Sequence, residues 1–160
     1  MTILSRWLEY LGKNGVRYSH SVHAPAQTAL ATADAERIPP HDLAKPVVYV
    51  GNTGFGIAVV AADQLVDLLE VGRLLGVSYI RLASEAELAE AFPDCELGAM
   101  PPFGQPWEMP VLIDSGIAAR EFIAFAIGTH RDVVRMSVAD YKKLVKPLIG
   151  SITINQPILV

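Results

Sequence analysis

Residues 45–61 constrain the fold more than any other part of the chain, because KPVVYV and FGIAVVA are two short apolar runs joined by the turn signal GNTG. Short runs of this kind, rich in β-branched residues and interrupted by glycine, read as the two strands of a hairpin. Their apolar residues are consecutive and do not alternate with polar ones, so both faces of the hairpin need cover and it belongs at the centre of the molecule. An antiparallel pair at the centre excludes a purely parallel winding.

The flanking sequence supplies that cover. Ile3, Leu4, Trp7, Leu8 and Leu11 recur at helical spacing and stop at Gly12 and Gly15. VRYSHSV alternates as a half-buried strand, and TALATADAERI reads as a helix capped by Thr28 and halted before Pro39 and Pro40. DQLVDLLEVGRLLG is helical, with a bend expected at Gly72. Ser84 to Glu87 (SEAE) is a capping box opening a helix that runs to about Phe92, and Ser137 to Asp140 (SVAD) repeats the pattern more weakly before a last helix. MPVLID, FIAFAIG and VVRMS are strand-like. This order gives an α/β or α+β domain on a mixed sheet, a single domain over residues 1–160, with 150–160 as either an edge strand or a tail.

Composition narrows the function. At 51% hydrophobic and 19% charged the chain is not of the disordered class. No apolar run approaches the ~20 residues of a membrane-spanning helix and the first ten residues lack a signal pattern, so the cytoplasm is the expected compartment and no membrane partner is expected. Cys95 is the sole cysteine and reads as a small apolar filler. A net charge of -4 argues against general DNA binding and leaves room only for a local contact, such as one exposed RNA end.

The common catalytic signatures are missing: there is no nucleophile elbow, phosphate loop, dinucleotide fingerprint or zinc-protease helix. His20 and His23 lie three apart on a strand-like segment and face opposite ways, so no metal site is expected. Three features remain. Lys45 sits where a polar loop enters an apolar strand, either as an anion anchor or oxyanion partner or as a solvated lysine with a packed stem. GAMPPFG, Gly98 to Gly104, is either a stiff loop presenting backbone amides to a ligand or a plain long connection. His130, at an expected hairpin tip, is placed either for proton transfer or as an ordinary turn histidine.

Taken together, HAPAQTA (His23 to Ala29), the LAK-plus-strand segment (Leu43 to Val50), FPDCELGAMPPFG (Phe92 to Gly104), PVLID (Pro110 to Asp114) and FAIGTHRDVVRMSVADYKKLV (Phe125 to Val145) resemble the YbaK/prolyl-tRNA-synthetase-associated domain family in order and spacing. The resemblance implies a mixed, barrel-like curved sheet surrounded by helices, and a metal-independent, cofactor-free hydrolase. That enzyme removes wrong amino acids from tRNA in trans, with tRNA(Pro) carrying a small amino acid as one candidate substrate. It implies Lys45 as the main functional residue, His130 as its catalytic companion, and substrate contacts at His23, Thr28, Gly98, Met100, Pro101, Pro102, Phe103, Gly104 and Gly128. The implied partner is the 3′ end of an aminoacyl-tRNA, with prolyl-tRNA synthetase or another synthetase as a further one; a non-catalytic tRNA-end binding module is the alternative. Pro46 departs from the family, whose members usually carry a residue with a backbone amide there.

Overall fold

A computed structural model describes residues 2–154, apart from the side chain of Pro106; residues 155–160 of the closing segment lie outside the described residues. Its helices are α1 (Ile3–Lys13), α2 (Ala29–Glu36), α3 (Leu68–Leu75), α4 (Glu85–Ala91), α5 (Ser115–Ala118) and α6 (Val138–Val145). The strands are β1 (Tyr18–Val22), β2 (Ala44–Gly51), β3 (Gly54–Ala61), β4 (Ile80–Leu82), β5 (Val111–Asp114), β6 (Phe122–Ala126), β7 (Asp132–Ser137) and β8 (Leu148–Gly150).

The expected central hairpin is β2–β3, paired antiparallel from Ala44↔Ala61 to Gly51↔Gly54, and it sits inside a five-stranded mixed sheet of order β4-β2-β3-β5-β8. Residues 56–61 of β3 are buried without a break, as a strand covered on both faces must be. β5 runs parallel to β3, and β8 is a parallel edge strand on β5. A second sheet of order β1-β7-β6 is antiparallel throughout, and the two sheets meet at a parallel bridge between Leu43 and Ala124. The result is an α+β fold with partly joined sheets and helices packed around them; the barrel-like arrangement is open, not closed.

The main core fills the space between the sheets and α1: Trp7 and Leu11 meet Val48, Ile57 and Val59 of the hairpin and Phe125 and Val134 of the second sheet. Phe103 is fully buried at its centre, 5.3 Å from both Trp7 (interplanar angle 30°) and Phe125 (89°). Tyr141 of α6 donates its hydroxyl to the Pro102 carbonyl at 2.6 Å, which satisfies a carbonyl that burial would otherwise leave unpaired. A smaller core under the other face of the hairpin joins Tyr49, Ala58 and Val60 to Val71 and Ile152.

Local capping agrees with the sequence. Thr28, Ser84 and Ser137 are N-caps, and Ser84 with Glu87 forms a complete capping box. Three expectations change. The helix after β3 begins only at Leu68, because Val66 bridges to Thr153 and the Asp67 carboxylate caps the amides of Leu69 and Glu70. It runs through Gly72 without interruption: the glycine is buried, and an added Cβ would touch Ile80 Cγ2 at 3.4 Å, so close packing explains the residue and no bend is needed. β1 is exposed along its whole length, not half-buried, since it is an edge strand covered only by its partner β7.

Candidate active site

Four of the residues singled out in the sequence, Lys45, Gly98, Thr28 and His130, line one narrow cleft together with Thr32, Pro46 and several small apolar side chains. The cleft offers about 30 Å³ that water can enter, about 340 Å³ when its open mouth is counted, so a ligand would lie largely in that mouth. It is not the largest concavity of the molecule; a groove of about 670 Å³ by the tighter measure opens near Arg37 and Arg120. The chemistry-bearing residues nonetheless converge on the smaller cleft.

Each wall has a local cause. The helix α2 starts at Thr28, whose hydroxyl accepts the Ala31 amide, and Thr32 falls one turn later on the same side, with its backbone amide on the Thr28 carbonyl. The opposite wall is the 96–99 loop, tied to the β6–β7 turn by two backbone bonds: Gly128 donates to Ala99 at 2.7 Å and accepts from Glu96 at 2.9 Å. Gly98 takes φ +85, a left-handed conformation suited to glycine, and an added Cβ there would stand 3.9 Å from His130 Cε1. Its own amide meets no protein acceptor among the described residues. A free amide beside an imidazole is a ready donor for a carbonyl oxygen.

His130 is held by its backbone. Its amide donates to Glu96 Oε1 at 2.7 Å, and its carbonyl accepts from the Ala26 amide at 3.0 Å and from His23 Nε2 at 3.1 Å. His23 in turn contacts Glu36 Oε2 through Nδ1 at 3.2 Å, with side chains only 5% and 8% exposed. His23 therefore lies behind the cleft wall and braces it. Among the described residues the His130 ring makes no hydrogen bond of its own, which leaves both nitrogens available.

Lys45 is half-buried at the start of β2, and its Nζ donates to the Gln64 carbonyl at 2.8 Å. Burial lowers its pKa from the ordinary lysine value, and the nearby Asp63 carboxylate partly opposes that shift. At rest the ammonium is thus anchored at the rim by one of its three donors and keeps two for a ligand. Pro46 follows on the opposite face of the strand. The Ala62 amide donates to the Leu43 carbonyl, so by antiparallel alternation residues 43, 45 and 47 turn their polar groups toward β3 while residue 46 turns its nitrogen away. Proline costs no ladder bond in that position; what it removes is an amide donor on the cleft wall.

The remaining expected contacts fall elsewhere. Met100 and Phe103 are core residues, and Pro101, Pro102 and Gly104 are buried with them. A Cβ on Gly104 would come within 2.0 Å of the Met109 carbonyl, so this glycine exists for close backbone packing. The stiff segment thus plugs the core and only its leading residue, Gly98, reaches the cleft. Gly128, at φ +91, shapes the turn and packs on Ile3. Thr32 was not singled out, although its i,i+4 relation to the capping Thr28 was a readable signal. Cys95 packs beside the main core with its thiol pushed up to about 11 by burial, which suits a filler and not a nucleophile.

The family model of the aminoacyl-tRNA editing domain matches residues 23–144, a span that contains every wall of this cleft. The chain belongs to that family. The Multifunctional Ser/Thr-tRNA deacylase ProXp-y of Escherichia coli (strain K12) is 34% identical over 92 residues, covering 57% of this chain and 54% of that protein. The matched region thus spans about half the length of this curated relative. Among solved structures, a candidate trans-editing enzyme for prolyl tRNA synthetase superposes with a TM-score of 0.83 at 22% identity, covering 97% of this chain and 99% of the other. The hypothetical protein APE2540 does so at 0.85 and 16%, covering 93% and 99%. At these identities the likeness establishes the editing-domain fold. No described helix is long and apolar enough to cross a membrane.

Proposed function

We propose that this chain is a trans-acting deacylase that hydrolyses the ester of a mischarged aminoacyl-tRNA. The observation that carries the reading is the meeting of Lys45, Gly98 and His130 on one cleft inside an editing-domain fold. An aminoacyl ester is already activated, so its hydrolysis needs a positioned water and a donor for the developing oxyanion. The free Gly98 amide serves as that donor. The unbonded His130 ring holds the water and takes its proton as the water oxygen attacks the carbonyl carbon; the ester bond then breaks and the ribose hydroxyl leaves with a proton. Lys45, with two donors to spare, binds the phosphate of the terminal nucleotide as a point charge.

Substrate choice follows from the walls. Ala26, Ala29, Ala44 and Ala126 leave little depth, and Thr28 and Thr32 add hydroxyl-bearing surface, which favours a small amino acid such as alanine, serine or threonine. The name of the Escherichia coli relative, a Ser/Thr-tRNA deacylase, supports the hydroxyl-bearing pair. The chain acts as one domain in the cytoplasm, where charged tRNA is found, and prolyl-tRNA synthetase is its candidate partner. A panel of aminoacyl-tRNAs tests this: tRNAs carrying serine, threonine or alanine should lose their ester faster than the spontaneous rate, and those carrying larger residues should not. Tight binding of charged tRNA with no ester loss across the whole panel would select the non-catalytic reading.

A further inference from the structure

A concavity larger than the cleft, among the described residues, has no part in the chemistry above. It is a groove of about 670 Å³ bordered by Arg37, Arg120 and Arg135, with Asp42, Glu121 and Phe122 among its other walls. Arg120 is committed to Asp42 at 2.7 Å, whereas Arg37 and Arg135 are exposed and form no ion pair among the described residues. The Arg135 guanidinium lies 4.3 Å from the centroid of the Phe122 ring, which is itself 40% exposed, making a flat cation-on-aromatic surface that faces outward. In a chain of net charge -4, such a grouping of guanidinium groups is a local exception.

The groove also lies close to the cleft. α2 spans both, with its N-terminal Thr28 in the cleft wall and its C-cap Arg37 in the groove wall. That separation is on the order of 13 Å at 1.5 Å per residue. Ala124 and Ala126, two apart on the same face of β6, line groove and cleft respectively, and Asp42 and Leu43 do the same on the neighbouring segment. The two concavities are therefore neighbours along α2 and along one face of β6.

We infer that this groove seats the unpaired nucleotides that precede the terminal adenosine of the tRNA, with Arg37 and Arg135 on their phosphates and the Arg135–Phe122 surface beneath a base. Single-stranded RNA is held by this combination of spaced cations and a stacking plane. An acidic protein segment would satisfy the arginines and leave the stacking surface unused. The inference rests on the deacylase reading for the position of the terminal nucleotide.

The test compares wild type with the double variant Arg37→Ala/Arg135→Ala and with Glu121→Lys, using three readouts. These are Kd for uncharged tRNA by fluorescence anisotropy, KM for aminoacyl-tRNA, and hydrolysis of aminoacyl-adenosine, which lacks the upstream nucleotides. The double variant should raise Kd and KM about tenfold and flatten the slope of log Kd against log salt by about 1.4, at about 0.7 per phosphate contact on a single strand. Aminoacyl-adenosine should be cleaved within about twofold of the wild-type rate. Glu121→Lys should tighten tRNA binding, a gain that misfolding cannot produce. Unchanged Kd in both variants, no measurable tRNA binding by wild type at low salt, or an equal loss on aminoacyl-adenosine would each overturn the groove assignment. Wild-type protein that binds tRNA in this manner but hydrolyses no aminoacyl-tRNA would instead overturn the deacylase reading alone.

Discussion

Gly98→Ala separates what the cleft does from what holds it together. The backbone there sits at φ +85, and placing an L side chain in the left-handed region costs about 1–2 kcal/mol. The new methyl would meet Gln27 O and His130 Cε1 at 3.9 Å each, ordinary contact distances, so no steric clash adds to the strain. The expected stability loss is therefore about 1–2 kcal/mol, a fall in Tm of roughly 2–8 °C for a domain of this size. The effect on activity should be larger, because only about 30 Å³ of the cleft admits water and a methyl group takes much of it, beside the unpaired amide assigned to the oxyanion. Alanine keeps the N–H, so the loss comes from the methyl holding the carbonyl oxygen out of its reach, which costs about 3 kcal/mol in the transition state, at least a hundredfold in kcat/KM. Circular-dichroism melting and single-turnover deacylation at 25 °C, where the variant remains folded, measure the two effects separately. Gly128→Ala, with comparable strain at φ +91 in the turn that ties the 96–99 loop but outside the cleft lining, compares strain behind the wall with a methyl inside the cleft. A Gly98→Ala protein with a lowered Tm and kcat/KM within twofold of wild type would refute the role given to this amide.

Other expectations follow from the same geometry. His23→Ala leaves Glu36 without its buried partner and the His130 carbonyl with the Ala26 amide alone, so it should cost about 1–3 kcal/mol in a urea melt and lower kcat more than it raises KM. Phe103→Ala should destabilise by about 3–5 kcal/mol, read by the same melt, because the ring is fully buried among Trp7, Phe125 and Tyr141. Glu87 is held down to about 2 from 4.5 by its hydrogen bonds to Arg81 and to the Ser84 amide. Its contribution is thus complete above 4.5 and is lost as pH falls from there toward 2; Glu87→Gln should flatten that part of a Tm-against-pH curve. Pro46→Thr restores a donor on the cleft wall and should change the ranking of amino acids in a deacylation panel without loss of stability beyond about 1 kcal/mol.

Much of this was readable before the coordinates. The central hairpin, the Thr28 and Ser137 caps and the Ser84 capping box are set by contacts only a few residues apart, and local sequence carries those. The burial of residues 100–104 was not legible, because it depends on Trp7, Phe125 and Tyr141 arriving from three distant elements to enclose Phe103. The same distance hid the brace from His23 to His130, whose partners are 107 residues apart. Pro46 reads in the sequence as a missing amide donor, and only the register shows that its nitrogen faces away from the ladder. The edge position of β1, which leaves it exposed, is likewise a property of the sheet and not of its alternating sequence.

The most direct measurement is the single-turnover rate at which Lys45→Ala cleaves the best aminoacyl-tRNA found for the wild-type protein, with spontaneous ester loss subtracted and the fold verified by its melt. A fall to near the spontaneous rate is the predicted result, since the lost ammonium is the only lysine charge lining the cleft among the described residues. Cleavage at the wild-type rate would contradict the account of the site.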